Sequence, residues 1–377
     1  MDIIVLLQQA VSNHASDIFV VAGLPVSYRA NGRICREKEE KLMPPQTKEC
    51  VEELYKLAGG RDIRVLEEKG DDDFSFAIPG LSRFRVSAYK QRGALSAVIR
   101  VITFELPEPN EIGIPDPVMS FYNLSKGLVL VTGPAGSGKS TTLACLVDKI
   151  NHSMEKHIIT LEDPIEYYHK TVNSLITQRE VGTDTQSFND AINMAMRQDP
   201  DVLVISDIKD ADTLMAATTA AEKGFLVIAA MNMPDTVQAV RRMLSTFTGE
   251  TQRQFRLLLA SCLRGVISQK LITRADDKGR VPAVEVLVVD MAVSDSILND
   301  NLEGLAAYLQ QGSVEGMQSF NQSMSALYSR GLIAKDEEQY HEEQQPVQDF
   351  SGVDAEIHLQ EQPSTEMNDN DTIMNWL

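Results

Sequence analysis

Among the segments of this chain, the octapeptide Gly133-Pro134-Ala135-Gly136-Ser137-Gly138-Lys139-Ser140 most narrows the folds it can adopt, standing directly behind the apolar run 127–132. The pattern G-x-x-x-x-G-K-[ST] is the nucleotide-binding P-loop, and each fixed position has a mechanical reason. Glycines at 133, 136 and 138 let the backbone take turns that a side chain would forbid, so that successive N–H groups can face phosphate oxygens. Lys139 brings a positive charge to the β/γ-phosphates. The hydroxyl of Ser140 suits Mg²⁺, a hard cation that takes oxygen ligands. From Thr141 onward residues 141–147 read as a helix, whose N-terminal dipole adds to phosphate affinity. Strand, loop and helix in this order predict an α/β, P-loop (RecA-like) domain that binds ATP with Mg²⁺.

At 377 residues the chain has room for two domains with separate cores. No run approaches the roughly 18 apolar residues needed to span a bilayer. The apolar N-terminus 1–7 lacks a basic flank and a small-residue cleavage site, which predicts a cytoplasmic protein. The cysteines Cys35, Cys50, Cys145 and Cys262 show no C-x-x-C spacing and read as buried thiols in a reducing compartment. The formal charge of −19 argues against nucleic acid as the main ligand. That charge is unevenly placed: residues 336–377 hold twelve acids and no Lys or Arg, leaving −7 for the rest. Such a segment, rich in Gln, Asn and Ser, is expected to be a disordered acidic tail, and its end carries the sole tryptophan, Trp376.

Residues 1–105 read as a smaller N-terminal α+β domain. A helix is expected over 3–11, strands over 17–21 and 26–30 with Asn31-Gly32 as a turn, a helix over 45–57, and strands over 73–77, 82–89 and 94–102. The proline-bearing stretch 106–120 reads as a linker. In 121–335, the short apolar runs 158–161, 202–205 and 225–229 are those of parallel strands buried on both faces. From about 240 onward helical periods dominate.

Two carboxylate clusters follow apolar strands: Glu162, Asp163 and Glu166 after one, Asp207 after another. Behind a P-loop, acids so placed are candidates for orienting Mg²⁺ or an attacking water. Together with the segments 15–17, 22–25, 83–86, 161–166, 177–182 and 197–201, they give the chain a resemblance, from residue 1 to about 335, to the hexameric type II secretion and type IV pilus ATPases. It is most similar to the PilT-like twitching-motility retraction ATPases. The resemblance implies a PAS-like N-terminal domain and a homo-hexameric ring, acting at the inner face of the cytoplasmic membrane on a pilus platform protein and beside a second pilus ATPase. Residue by residue, it implies phosphate binding by 133–141. It implies metal binding by Ser140, Asp163 and Asp207, and catalytic roles for Glu162, Glu166 and Asp207. Arg85, Arg100 and, less directly, Arg92 match the N-domain arginines that approach the γ-phosphate.

The departures are as informative. Where the family has Gly-Glu-x-Arg-Asp, this chain has Ser206-Asp207-Ile208-Lys209-Asp210, with an acid one methylene shorter. The family's two box histidines are replaced by Phe225 and Asn232, and the arginines of its C-terminal retraction segment by Ser294 and Leu298. Two functions therefore remain open from sequence: a working ring motor, or a nucleotide-binding accessory subunit with impaired hydrolysis.

Overall fold

The computed structural model describes residues 2–334 apart from 31–32, 103–105, 277–278 and 313; the expected turn at Asn31-Gly32 and the acidic tail lie outside these. The N-terminal part begins with α1 (Ile3–Ser12), capped by the Asp2 carboxylate, which accepts from the N–H of Ile4 at 2.9 Å. Then come β1 (Asp17–Val20), β2 (Pro25–Ala30), β3 (Arg33–Lys41), α2 (Pro44–Leu57), α3 (Arg64–Lys69), β4 (Asp71–Ile78), β5 (Ser82–Gln91) and β6 (Ala94–Ile102). The strands form one antiparallel sheet ordered β3-β2-β1-β6-β5-β4.

Alternation along β5 sends Phe84, Val86 and Ala88 into a core shared with Leu6, Leu7, Leu54 and Tyr55 of α1 and α2, and leaves Arg83 and Arg85 on the other face. Strand β3 was not legible in the sequence. Its run Arg33-Ile34-Cys35-Arg36-Glu37-Lys38-Glu39-Glu40-Lys41 is charged because it is an edge strand, where charge blocks pairing with another chain. Cys35 on that strand is exposed, which corrects its expected burial; the other three cysteines are buried.

The second part opens with α4 (Asp116–Met119) and a 3₁₀ turn (Ser120–Asn123), and continues with β7 (Gly127–Thr132), α5 (Lys139–Ser153), β8 (His157–Glu162) and β9 (Leu175–Glu180). Next are α6 (Phe188–Ala195), β10 (Val202–Ile205), α7 (Ala211–Glu222), β11 (Leu226–Met231), α8 (Thr236–Ser245) and α9 (Gly249–Cys262). It closes with β12 (Leu263–Thr273), β13 (Arg280–Val288), α10 (Met291–Leu298), α11 (Leu302–Gln311) and α12 (Phe320–Ser329). The sheet order is β13-β12-β7-β11-β10-β8-β9, parallel except for the β12/β13 pair.

The C-terminal part, expected to be helical, holds α8 to α12 and also the hairpin β12–β13, which was not expected. The hairpin strands are buried on both faces, so they lack the alternation that would separate them from the flanking helices. Helix α5 packs on one face of the sheet with Ile114, Val118, Met119 and Phe121 of the 106–123 segment; α6, α7, α8 and α9 cover the other. The chain leaves β7, crosses over to β8, returns through β10 and β11, and then continues into β12 on the far side of β7. That reversal places a crevice at the carboxyl ends of the strands, where α/β sheets bind ligands.

Candidate active site

The loop 133–138 joins β7 to α5 at that crevice. Gly133, Gly136 and Gly138 all have positive φ, at 147°, 75° and 91°. A Cβ on Gly133 would collide with the Gln269 carbonyl oxygen and the Ser137 hydroxyl, so glycine is required there by space as well as by conformation. Pro134, Ala135 and Gly136 form an exposed rim, while Ser137 is buried. Because Gly138 caps the helix, Lys139, Ser140 and Thr141 occupy its first turn, where N–H groups have no partner within the helix. The Lys139 ammonium donates to the carbonyl oxygens of Gly133 and Pro134 at 2.9 and 3.0 Å. Burial lowers the Lys139 pKa, against the pull of the Asp207 and Glu166 carboxylates. The Thr141 hydroxyl lies 2.9 Å from that of Tyr167.

Across the crevice, two strands deliver the acids and a third delivers an amide. Glu162 ends β8 and accepts at one oxygen from the Thr160 hydroxyl at 2.6 Å and the Gln178 amide at 3.0 Å. Burial raises its pKa, opposed by those two donors. Asp163 follows, paired with Lys209 at 2.8 Å, and its N–H donates to the Ser206 hydroxyl at 3.1 Å. Asp207 stands just beyond β10, and Asn232 just beyond β11; the Asn232 amide nitrogen is 3.4 Å from each Asp207 carboxylate oxygen. Burial raises the Asp207 pKa, Lys209 and Lys139 oppose this, and Asp163 adds to it. Asp210 caps α7 by accepting from the Thr213 N–H at 2.7 Å.

Lys139, Ser140, Glu162, Asp163, Glu166, Asp207 and Asn232 therefore line one cleft. A glycine-lined loop, a lysine and a serine hydroxyl on one side and acids on the other fit a nucleotide phosphate chain with Mg²⁺. Among the described residues no three His, Cys, Asp or Glu side chains converge as a closed metal cage.

Arg85 and Arg100 do not line this cleft. They are direct cross-strand neighbours on the face of the N-terminal sheet away from its core, in a shallow depression with Asp17, Asp73, Ser87 and Val98. Asp17 pairs with Arg100 at 3.1 Å and with Arg29 at 3.4 Å. Arg92 sits at the tip of the β5–β6 hairpin with φ 52°, followed by Gly93 at 80°, as a two-residue turn requires. Phe225 precedes β11 at the amino edge of the sheet, where its carbonyl accepts from the Gly127 N–H at 3.0 Å. Six strand residues, about 20 Å, separate it from the acids. Ser294 and Leu298 lie on α10, which packs on α9 through the Ser294 hydroxyl and the Ala260 carbonyl at 3.3 Å. Of the substituted positions, Ser206, Asp207 and Asn232 line the cleft.

Sequence reasoning missed three contributors. Gln269 of β12 accepts from the Thr142 hydroxyl at 2.7 Å and donates to the Ser137 carbonyl at 2.6 Å. Gln269 lies in the polar triplet Ser268-Gln269-Lys270, which offered no signal for this role. His169 lines the cleft from the β8–β9 connection, and burial depresses its pKa to about 4. Glu180, at the end of β9, accepts from the Ser75 hydroxyl at 2.8 Å, Arg83 at 3.0 Å and the Ile165 N–H at 3.1 Å. One buried carboxylate thus ties the N-terminal sheet to the loop that carries Asp163 and Glu166.

Strand order and cleft together define a P-loop ATPase of RecA-like topology behind an α+β domain. The model of the Type II/IV secretion system protein family matches residues 2–362, and the chain belongs to that family. The type IV pilus retractation ATPase PilT of Pseudomonas aeruginosa is 36% identical over 336 residues, 89% of this chain and 96% of that protein. The type IV pilus ATPase PilU of the same organism is 34% identical, over 89% of this chain and 87% of its own length. The crystal structure of the pilus retraction motor PilT with bound ADP superimposes with a TM-score of 0.82 at 37% identity, covering 90% of this chain and 96% of that one. The ATPase DotB of Legionella pneumophila, at 24% identity over 91% of this chain and 96% of its own, shares the fold with a TM-score of 0.79. Within the family the chain is a PilT-like, nucleotide-binding ATPase.

Proposed function

We propose that this chain is the subunit of a hexameric ring that hydrolyses Mg-ATP to power type IV pilus retraction or a related envelope machine. The observation that carries this reading is the convergence of Lys139, Ser140, Glu162, Asp163, Glu166 and Asp207 on one cleft at the carboxyl edge of the sheet. Residues 133–141 bind the phosphates through backbone N–H groups and the Lys139 ammonium. Ser140, Asp163 and Asp207 would hold Mg²⁺, which when bound neutralises phosphate charge. Glu162 and Glu166 orient the attacking water, and the raised pKa of Glu162 suits it to take up the proton released. Arg85 and Arg100, remote from their own cleft, serve the cleft of a neighbouring copy and there stabilise transition-state charge.

Steady-state phosphate release by the wild type and by Lys139→Ala and Asp207→Glu variants tests the reading. Turnover that depends on Lys139 supports it, and no Lys139-dependent turnover at saturating Mg-ATP sinks it. The ring predicts activity that rises with protein concentration; light scattering that shows only monomer at micromolar protein with Mg-ATP opposes it.

A second reading is favoured by the Asp207–Asn232 pair, in which a shorter acid meets a neutral amide: an accessory subunit that binds ATP but hydrolyses it slowly, beside an active second pilus ATPase. Similar identity to PilT and to PilU is compatible with both. Either role places the protein in the cytoplasm against a membrane platform protein, without nucleic acid; no helix among the described residues is long and apolar enough to cross a membrane.

A further inference from the structure

We propose that Gln269 is a positioning residue that holds the phosphate-binding loop in its binding shape and thereby sets nucleotide affinity rather than the chemical step. This rests on reading 133–141 as the phosphate site. The ladder between β12 and β7 ends at the pair Ser268–Thr132, so Gln269 is the first β12 residue beyond it, level with the start of the loop. Its carbonyl oxygen occupies the space a Cβ on Gly133 would need. The side chain is 3% exposed and spans from the Ser137 carbonyl to the Thr142 hydroxyl.

Chemistry fixes the orientation of this amide. A carbonyl can only accept, so the Gln269 NH₂ must face Ser137; its oxygen then faces Thr142, whose hydroxyl must donate. The consequence for the loop follows from peptide geometry. In a planar trans peptide the C=O of one residue and the N–H of the next point in opposite directions. Clamping the Ser137 carbonyl onto Gln269 therefore turns the Gly138 N–H away from β12, toward the side where phosphate oxygens bind. At its other end the same amide grips the first turn of α5, which carries Lys139 and Ser140. One side chain thus relates the loop donors to the helix donors. Preorganisation of this kind acts equally on ground and transition states, so it belongs in affinity and KM more than in kcat.

Calorimetric titration with Mg-ADP, together with kcat and KM for ATP, tests this on the full chain. Gln269→Met keeps the length and burial but donates nothing; Kd for Mg-ADP should rise about 10- to 100-fold, with kcat within about 3-fold of wild type. Gln269→Glu supplies a second readout. When ionised, its carboxylate repels the Ser137 carbonyl; when protonated, it donates to it, so affinity relative to wild type should recover as pH falls. A merely structural role would lower the thermal midpoint of both variants with no pH-dependent rescue of binding. Lys139→Ala losing Mg-ADP while Gln269→Met binds like wild type overturns the inference alone, as does a pH-independent deficit in Gln269→Glu. A wild-type chain that binds no Mg-ADP overturns the reading of the site and this inference with it.

Discussion

The two walls of the cleft are built on different terms. The phosphate-side wall is locked: glycines at positive φ, a helix cap in the left-handed region, and a buried glutamine bridging loop and helix leave it little freedom. The acid-side wall is adjustable. Its carboxylates stand at the ends of separate strands: Glu162 is held by the Thr160 hydroxyl and the Gln178 amide, whereas Asp163 has an ion pair with Lys209 and Asp207 a long contact with the Asn232 amide. Binding and turnover in this protein are therefore expected to vary independently. The substitutions that reach the cleft, Ser206, Asp207 and Asn232, all fall on the adjustable wall.

The sharpest way to break the contrast is at the rigid wall. Gly133→Ala puts a Cβ against a backbone oxygen at φ 147°, where no flexible neighbour can yield. Nucleotide affinity measured by titration calorimetry should fall by about 100-fold or more, with about 1–3 kcal/mol of stability lost in melting experiments. A variant that binds normally would show the loop to be less constrained than its packing indicates.

On the acid wall the expected change runs the other way. Asp207→Glu restores the missing methylene, and phosphate release should rise by as much as ~10²-fold, since misplacement of about 1 Å costs on that order. Affinity for Mg-ADP should change far less than turnover. If turnover and affinity move together, the two walls are coupled after all.

A smaller effect is expected from Glu180→Ala. It removes the acceptor shared by Ser75, Arg83 and the Ile165 N–H, and so loosens the loop bearing Asp163 and Glu166 without touching 133–141. Turnover should drop about 10-fold with Mg-ADP binding preserved, and the melting curve should lose roughly 1–3 kcal/mol. Loss of binding instead would place Glu180 in the other wall's support.

The smallest change is one of pH. His169 has its pKa depressed by burial from 6.5 to about 4, so the unfolded chain takes up this proton first. Stability contributed by the neutral ring is fully present above about pH 6.5 and is lost as pH falls toward about 4. By pH 5 the loss should be roughly 1–2 kcal/mol. Thermal melts of His169→Gln should show a flatter dependence between pH 7.5 and 5; an equal slope would assign the acid sensitivity to other groups.

What could be read from the sequence follows this division. The P-loop was legible because each of its letters answers a local need of the backbone, and the acids because they end apolar strands. Partners across the fold were not. Gln269 lies 132 residues from Ser137 in sequence, and Glu180 lies 105 residues from Ser75. No local pattern marks which buried polar groups will find each other at such separations. Phe225 shows the converse: a conspicuous substitution in sequence lies at the opposite edge of the sheet from the chemistry, because a strand has two ends. The charged β3 misled in a third way, since an edge strand is selected for what it must not pair with.

The irregularity near the start of β12 has its own consequence for which changes in length the chain can tolerate. Leu263 pairs with Leu128 and Gly265 with Val129, so Arg264 is an extra residue that the ladder skips. Removing Arg264 would straighten the strand and leave everything after it in phase. Removing one residue between 265 and 268 would instead bring Lys270 to the place of Gln269 and reverse the facing of the strand's tip. Single-residue deletions a few positions apart are thus predicted to differ sharply, the first keeping the nucleotide loop braced and the second placing beneath it an ammonium that cannot accept from the Thr142 hydroxyl.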